Sequence, residues 1–175
     1  GGSSVAINES WNGSSWTETN DINTARRNGA SSGSSTSGII SGGQIPPHSA
    51  TTELWDGTSW TETTDLNSAR ASYASSSSSP YTSGFIAGGS GNPAPAETET
   101  WDGTSWTETG DLNTGRFGVA GAGVSSTSGL AFGGSPNRAI NESWDGSSWT
   151  EVGDLNTARE YLNGAGIQTS ALAFA

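Results

Sequence analysis

Cysteine, lysine and methionine are all absent from this 175-residue chain. Without cysteine there is no disulfide, no thiolate metal site, no thioether-linked haem and no cysteine nucleophile. Without lysine, the basic residues are Arg26, Arg27, Arg70, Arg116, Arg138 and Arg159, set against 17 acidic ones. A net charge of −11 and a pI near 4.1 leave no basic footprint for nucleic acid. No apolar run approaches the ~20 residues that span a bilayer, so no membrane insertion is expected. The missing methionine suggests a processed product or a segment, with any leader peptide out of view. Large apolar side chains are scarce as well. Leu, Ile, Val and Phe together number 23, below the ~20% under which highly charged chains stay disordered.

What the chain has instead is eight tryptophans and 26 glycines. Each buried Trp removes ~150–250 Å² from water, about 4–6 kcal/mol gross at ~25 cal/mol/Å². Tryptophan is therefore expected to supply the core of a single domain over residues 1–175. All eight fall in four hexads, WNGSSW, WDGTSW, WDGTSW and WDGSSW, opening at Trp11, Trp55, Trp101 and Trp144 with spacings of 44, 46 and 43. Diglycines stand at Gly1-Gly2, Gly42-Gly43, Gly88-Gly89 and Gly133-Gly134. A third landmark, D-[IL]-N-[TS]-[AG]-R, occupies 21–26, 65–70, 111–116 and 154–159. Fifteen of the acidic residues sit at four repeat positions, those of Glu53, Asp56, Glu62 and Asp65. The negative charge thus belongs to the repeat. The phase reads as four whole repeats, starting near Gly1, Gly42, Gly88 and Gly133.

Each period holds four strand-like stretches; in the third repeat they are 119–124, 129–132, 139–144 and 149–152. Periods of ~40–50 residues with four strands indicate propeller blades. Asp-Gly between the two tryptophans is a strong hairpin signal. A two- or four-residue loop there puts both indoles on one face, as a diagonal or directly opposed pair. The diglycine ends the second strand, where the backbone turns sharply and is approached closely. Small residues such as Gly121-Ala122-Gly123 suit a crowded innermost strand. Ser75 to Ser79 reads as a lengthened turn between the first two strands of the second blade.

On these residues the repeat resembles the kelch repeat. The matching features are Gly133-Gly134 after an apolar strand, then Trp144, Trp149, Leu155 before a turn, and Arg159 leading into the next innermost strand. Kelch repeats usually carry Tyr where Trp144 stands, and the aromatic-to-Trp spacing here is shorter. The variant also resembles Trp-Asp-Gly tandem repeats of phage tail-fibre-like and bacterial surface proteins. The resemblance implies an all-β propeller of four kelch-like blades, each of four antiparallel strands. The chain starts with two outer strands (about 3–20) and ends with two inner ones (about 162–175). Their pairing is expected to close the ring and remove free sheet edges. An eight-bladed ring from two chains, or a piece of a longer array, fits the same sequence.

Candidate sites follow from this frame. The loops after the diglycines, 3–8, 44–52, 90–98 and 135–141, vary most, and Pro46, Pro47, Pro93, Pro95 and Pro136 stiffen three of them. Variable loops on a rigid scaffold are where binding usually lives. Arg26, Arg70, Arg116 and Arg159 would ring a channel on that face and could hold carboxylates or sulfates. The competing reading pairs them with repeat acids such as Asp65 or Glu62, or uses them to cap inter-blade carbonyls. Trp11, Trp55, Trp101 and Trp144 could stack sugar rings, with Asp56, Asp102, Asp145 and Asn12 holding hydroxyls. Strict recurrence favours the core instead, most strongly for Trp16, Trp60, Trp106 and Trp149. Asp-x-Asn at Asp21/Asn23 offers oxygens of the kind calcium takes, but these are ordinary turn residues. No metal or cofactor is expected.

Catalysis is not expected either. His48 is the one histidine, in a Pro-rich loop. The copper chemistry of galactose-oxidase-type propellers needs a Cys-linked Tyr and His ligands. Sialidase-like chemistry needs an Arg triad with Tyr, and Tyr73, Tyr81 and Tyr161 do not recur in register. The expectation is a non-enzymatic structural or attachment module, extracellular or on a virion surface. Its partners would be cell-surface glycans, itself, or other surface proteins. A lectin with one shallow sugar site per blade and a platform for an acidic peptide are the alternatives.

Overall fold

The computed structural model describes residues 3–91 and 93–175. The first diglycine, Gly1-Gly2, and Asn92 of the second variable loop lie outside the described residues. Every regular element among the described residues is a strand, and every pairing is antiparallel. The chain starts with a hairpin of β1 (Asn8–Trp11) and β2 (Trp16–Thr19). Three four-stranded sheets follow. The first is β3 (Ala30–Ser34), β4 (Ser37–Ser41), β5 (Thr52–Trp55) and β6 (Trp60–Glu62). The second is β7 (Ala74–Ser75), β8 (Gly84–Ala87), β9 (Thr98–Trp101) and β10 (Trp106–Thr109). The third is β11 (Ala120–Ser125), β12 (Ser128–Phe132), β13 (Asn141–Trp144) and β14 (Trp149–Val152). A final hairpin joins β15 (Asn163–Ile167) to β16 (Ser170–Phe174). Within each sheet the strands lie in chain order.

The four strands per repeat are as the sequence suggested, and residues 76–83 form the lengthened turn. The expected pairing of 3–20 with 162–175 is not made. β1–β2 and β15–β16 are separate two-stranded sheets. Each is anchored to its own neighbour instead. Arg26 N–H donates to Val5 O (3.1 Å) and Ile22 N–H to Ala6 O (3.1 Å). At the other end, Tyr161 N–H donates to Gly118 O (2.9 Å) and Gln168 Nε2 to Trp144 O (2.6 Å).

The core lies between successive sheets. Ile39, Leu66, Tyr73, Ile86, Trp101 and Trp106 fill the space between the first two. Phe85, Leu112, Val119, Ala131, Trp144 and Trp149 fill the next, with Phe85 edge-on to Trp149 at 5.5 Å. The inner strands approach so closely that a Cβ on Gly121 would collide with Ser75 O, and one on Gly164 with Gly121 O. That crowding is why β11 and β15 are built of Gly and Ala.

The diglycines fasten one sheet to the next. Gly42 and Gly43 have φ of 58° and 103°, which glycine adopts without a Cβ penalty. The turn aims Gly43 N–H at Arg70 O (2.9 Å) on the connection leading to the second sheet. Gly89 to Arg116 O (3.0 Å) and Gly134 to Arg159 O (2.9 Å) repeat the bond. Tyr73 adds a second fastening at the first junction. Its hydroxyl donates to Ser41 O (2.5 Å) and accepts from Ala30 N–H (3.0 Å). Burial pushes the phenol well above its ordinary pKa, so it remains a donor at every physiological pH.

Candidate functional site

The D-[IL]-N-[TS]-[AG]-R motif forms one buried cradle per sheet. Its arginine reaches forward to the glutamate two residues before the first Trp of the next hexad. Arg26 Nη2 meets Glu53 at 2.5 Å, Arg70 Nη2 meets Glu99 at 2.8 Å, and Arg116 Nη1 meets Glu142. All six side chains are buried. The motif asparagine supplies the second carboxylate oxygen with a backbone donor. Asn23, Asn67 and Asn113 N–H reach Glu53, Glu99 and Glu142 Oε2 at 2.6, 2.7 and 2.7 Å. The remaining guanidinium donors are capped by carbonyls. Arg26 Nη1 takes Gly42 O (2.8 Å) and Thr51 O (2.7 Å). Arg116 takes Gly133 O (2.9 Å) and Ala131 O (3.0 Å).

This placement corrects one expectation and sharpens another. Arg26, Arg70 and Arg116 do not present a channel mouth to an acidic ligand, because they are buried and their donors are occupied. The arginines do pair with a repeat acid, but it is the Glu53-type acid on the third strand rather than Asp65 or Glu62. Asp65 instead accepts Thr52 N–H (3.2 Å). Capping of carbonyls is present as expected. Arg159, the fourth member, is only half-buried, and among the described residues no acid forms an ion pair with it.

The tryptophan hexads close by four-residue loops, so Trp55 and Trp60 are directly opposed. Ring centroids lie 5.1–5.4 Å apart at all four pairs. The first indole of each full sheet caps the turn between its two inner strands. Trp55, Trp101 and Trp144 Nε1 donate to Ser35, Tyr81 and Ser126 O at 2.9, 3.0 and 2.8 Å. The second indole reaches back to the preceding sheet: Trp106 to Thr52 Oγ1 (3.0 Å) and Trp149 to Thr98 Oγ1 (2.8 Å). Trp55, Trp101 and Trp144 are buried, so the structure does not offer them as sugar-stacking platforms. Trp11 alone of that set is exposed, at 47%.

Asp56, Asp102 and Asp145 are exposed and turned onto their own loops. Asp102 Oδ1 accepts Thr104 N–H, Ser105 N–H and the Thr104 hydroxyl at 2.8, 2.8 and 2.7 Å. Those bonds, the Thr104 hydroxyl first, hold its carboxyl down to about 2. At Asp145 the Ser148 and Ser147 N–H groups lead, and the value is again about 2. Asp56 is also lowered, chiefly by Ser59 N–H. Asn12 makes the same two backbone bonds without a charge, at 2.9 and 3.0 Å. A depressed carboxylate contributes stability above its unfolded pKa near ~4 that is lost as pH falls through the folded value. The Asp102→Asn/Asp145→Asn variant is therefore expected to lose less stability than the parent between pH 4 and 2. Thermal melts across that range check it, and parallel curves would show the carboxylates to be idle.

The diglycine loops share one face with the connections between sheets. Ser90 Oγ bonds Ala71 O (2.9 Å), Ser135 N–H bonds Phe117 O (2.7 Å), and Arg27 Nε bonds Gln44 Oε1 (3.0 Å). The hexad turns lie at the other face, where Gly57 stands against Thr36. His48 is half-buried in its Pro-rich loop, and its Nε2 pairs with Ser90 Oγ at 3.2 Å. Arg27, His48 and Arg138 all lie on the loop face, so basic groups outside the cradles collect there. Among the described residues there is no cluster of three His, Cys, Asp or Glu suited to a metal. No protein-family model and no curated protein sequence matches the chain.

Proposed function

We propose that this chain is a non-enzymatic attachment or assembly module of a virion or cell surface, built on kelch-like propeller blades. One observation carries the reading: the recurring residues of each full sheet are spent on holding it together. The arginines, glutamates and asparagines form buried cradles, and the tryptophans form the core. What varies between repeats is the set of loops after the diglycines, all displayed on one face of a rigid frame. That division of labour is typical of binding scaffolds. Partners would be surface glycans or other surface proteins, engaged through the loops. The acidic-peptide alternative has one point in its favour, the gathering of Arg27, His48 and Arg138 on that face.

A glycan array is the test. The expected result is binding that falls at least about tenfold when residues 45–48 and 136–138 are replaced by Gly-Ser, with thermal unfolding unchanged. Binding that survives the replacement but vanishes in Trp11→Ala would move the site to the exposed indoles and favour the lectin. A blank array from a folded chain would leave assembly as the role.

A further inference from the structure

We propose that the two terminal strand pairs are two halves of one sheet, joined between copies of the chain: β15–β16 of one copy receives β1–β2 of a second copy. The inference rests on the blade reading above. Its strongest support is an interface already present in the molecule. In the third sheet β12, SGLAF, pairs with β13, NESW. β16 reads SALAF and β1 reads NESW. The missing junction thus has nearly the same two sequences as one that forms. Carrying the register across sets Ala171 opposite Trp11, Leu172 opposite Ser10, Ala173 opposite Glu9 and Phe174 opposite Asn8.

The unmatched polar groups fit the same junction. Arg159 is the equivalent of Arg26, Arg70 and Arg116, yet its Nε is buried with no partner. Glu9 is the equivalent of Glu53, Glu99 and Glu142, yet it is exposed on β1. The proposed register brings that acid to that arginine, with Asn156 placed as the cradle asparagine. Asn141 Oδ1 is also buried and unpartnered. It occupies the position of Thr52 and Thr98, which accept from Trp106 and Trp149. Trp16 is the indole that would reach it.

Apolar exposure agrees. Trp16 is 65% exposed where its equivalents Trp106 and Trp149 are 8% and 5%. Phe174 is 49% exposed where Phe132 is 3%. Between β1–β2 and the first sheet lies an open groove of about 720 Å³, lined by Trp11, Trp16, Gly33, Trp55 and Trp60 among others. β16 meanwhile presents an unpaired edge, which sheet proteins normally cover.

A second copy is the occupant because both halves are already folded and fixed in one chain. β1–β2 is bonded to the first sheet and β15–β16 to the third, and the two pairs form separate sheets. A second molecule joins both without moving either. Two copies related by a two-fold axis make the junction twice.

Charge exchange between Glu9 and Arg159 tests this. Wild-type chain is expected to run as a dimer or larger species in light scattering at micromolar concentration. Glu9→Arg and Arg159→Glu are each expected to weaken self-association at least about tenfold. Mixing the two variants makes one native and one charge-reversed junction, both complementary, and so restores assembly. Phe174→Asp should also weaken assembly and leave the monomer folded, since Phe174 is exposed there. A wild-type monomer at all concentrations, or charge variants that mixing does not rescue, overturns the proposal in favour of joining within one chain. Variants that lose the cooperative tryptophan fluorescence transition would instead indict the blade framework itself.

Discussion

Replacing Arg116 with alanine is expected to lower stability by about 3–5 kcal/mol, the range for removing one partner of a buried ion pair. Arg116 and Glu142 are fully buried, and the truncation strands more than the carboxylate. The carbonyls of Gly133 and Ala131 lose their donors as well. Those carbonyls belong to the end of β12 and its diglycine, so the damage falls on the junction between strands and connections. With Arg70→Ala added, the summed loss of ~6–10 kcal/mol rivals the whole stability of a typical domain, and the double variant should not fold. Arg116→Lys is no rescue, because an ammonium cannot fork to a carboxylate and two carbonyls at once. Arg159→Ala in the dissociated chain is the control, expected within ~0.5 kcal/mol of the parent. Urea unfolding of the four variants decides. Near-parent stability for Arg116→Ala would return the arginines to the pool of ligand-binding residues.

The sequence announced the repeat because its landmarks are residues with few substitutes. Glycine at φ of 70° and 125°, as at Gly88 and Gly89, cannot be exchanged for a side chain without strain. Indoles opposed at about 5 Å must match on both strands. Such positions recur in register and so can be counted. The arginine's partner was harder to see. Glu53 and Glu62 recur equally well, and both sit two residues from a tryptophan. They even face each other across β5 and β6. What separates them is strand order: β5 is flanked on both sides and β6 is the outer edge. Period alone does not carry that distinction, and only the interior position buries its acid. The end pairs escape the sequence for a related reason. Sequence complementarity between NESW and SALAF says which strands match, but not whether they come from one molecule. The bonds of Val5 to Arg26 and Tyr161 to Gly118 tie each pair to the connection beside it, and the repeat pattern does not carry that.

Trp144→Ala and Trp11→Ala should give opposite results, although both residues open the same hexad. Trp144 is fully buried, stacked on Trp149 at 5.1 Å, and its Nε1 caps Ser126 O at 2.8 Å. Removing it creates a cavity in the core between the second and third sheets and leaves that carbonyl without a donor. The expected cost is about 3–5 kcal/mol, or a fall in Tm of roughly 6–20 °C for a chain of this size. Trp11 is 47% exposed and its indole caps nothing in the described residues. Its loss should cost less than ~1 kcal/mol in dilute protein. At high concentration the difference should narrow, because a joined β1–β2 pair would bury Trp11 as Trp144 is buried now. Melting both variants over a hundredfold concentration range therefore reads two things at once. The dilute values test whether indoles hold the sheets together, and the concentration dependence of Trp11→Ala tests whether the open half-sheet is where a second copy binds. Equal, small losses for both variants would mean that the tryptophans are surface, and the structural reading of the repeat would fall with them.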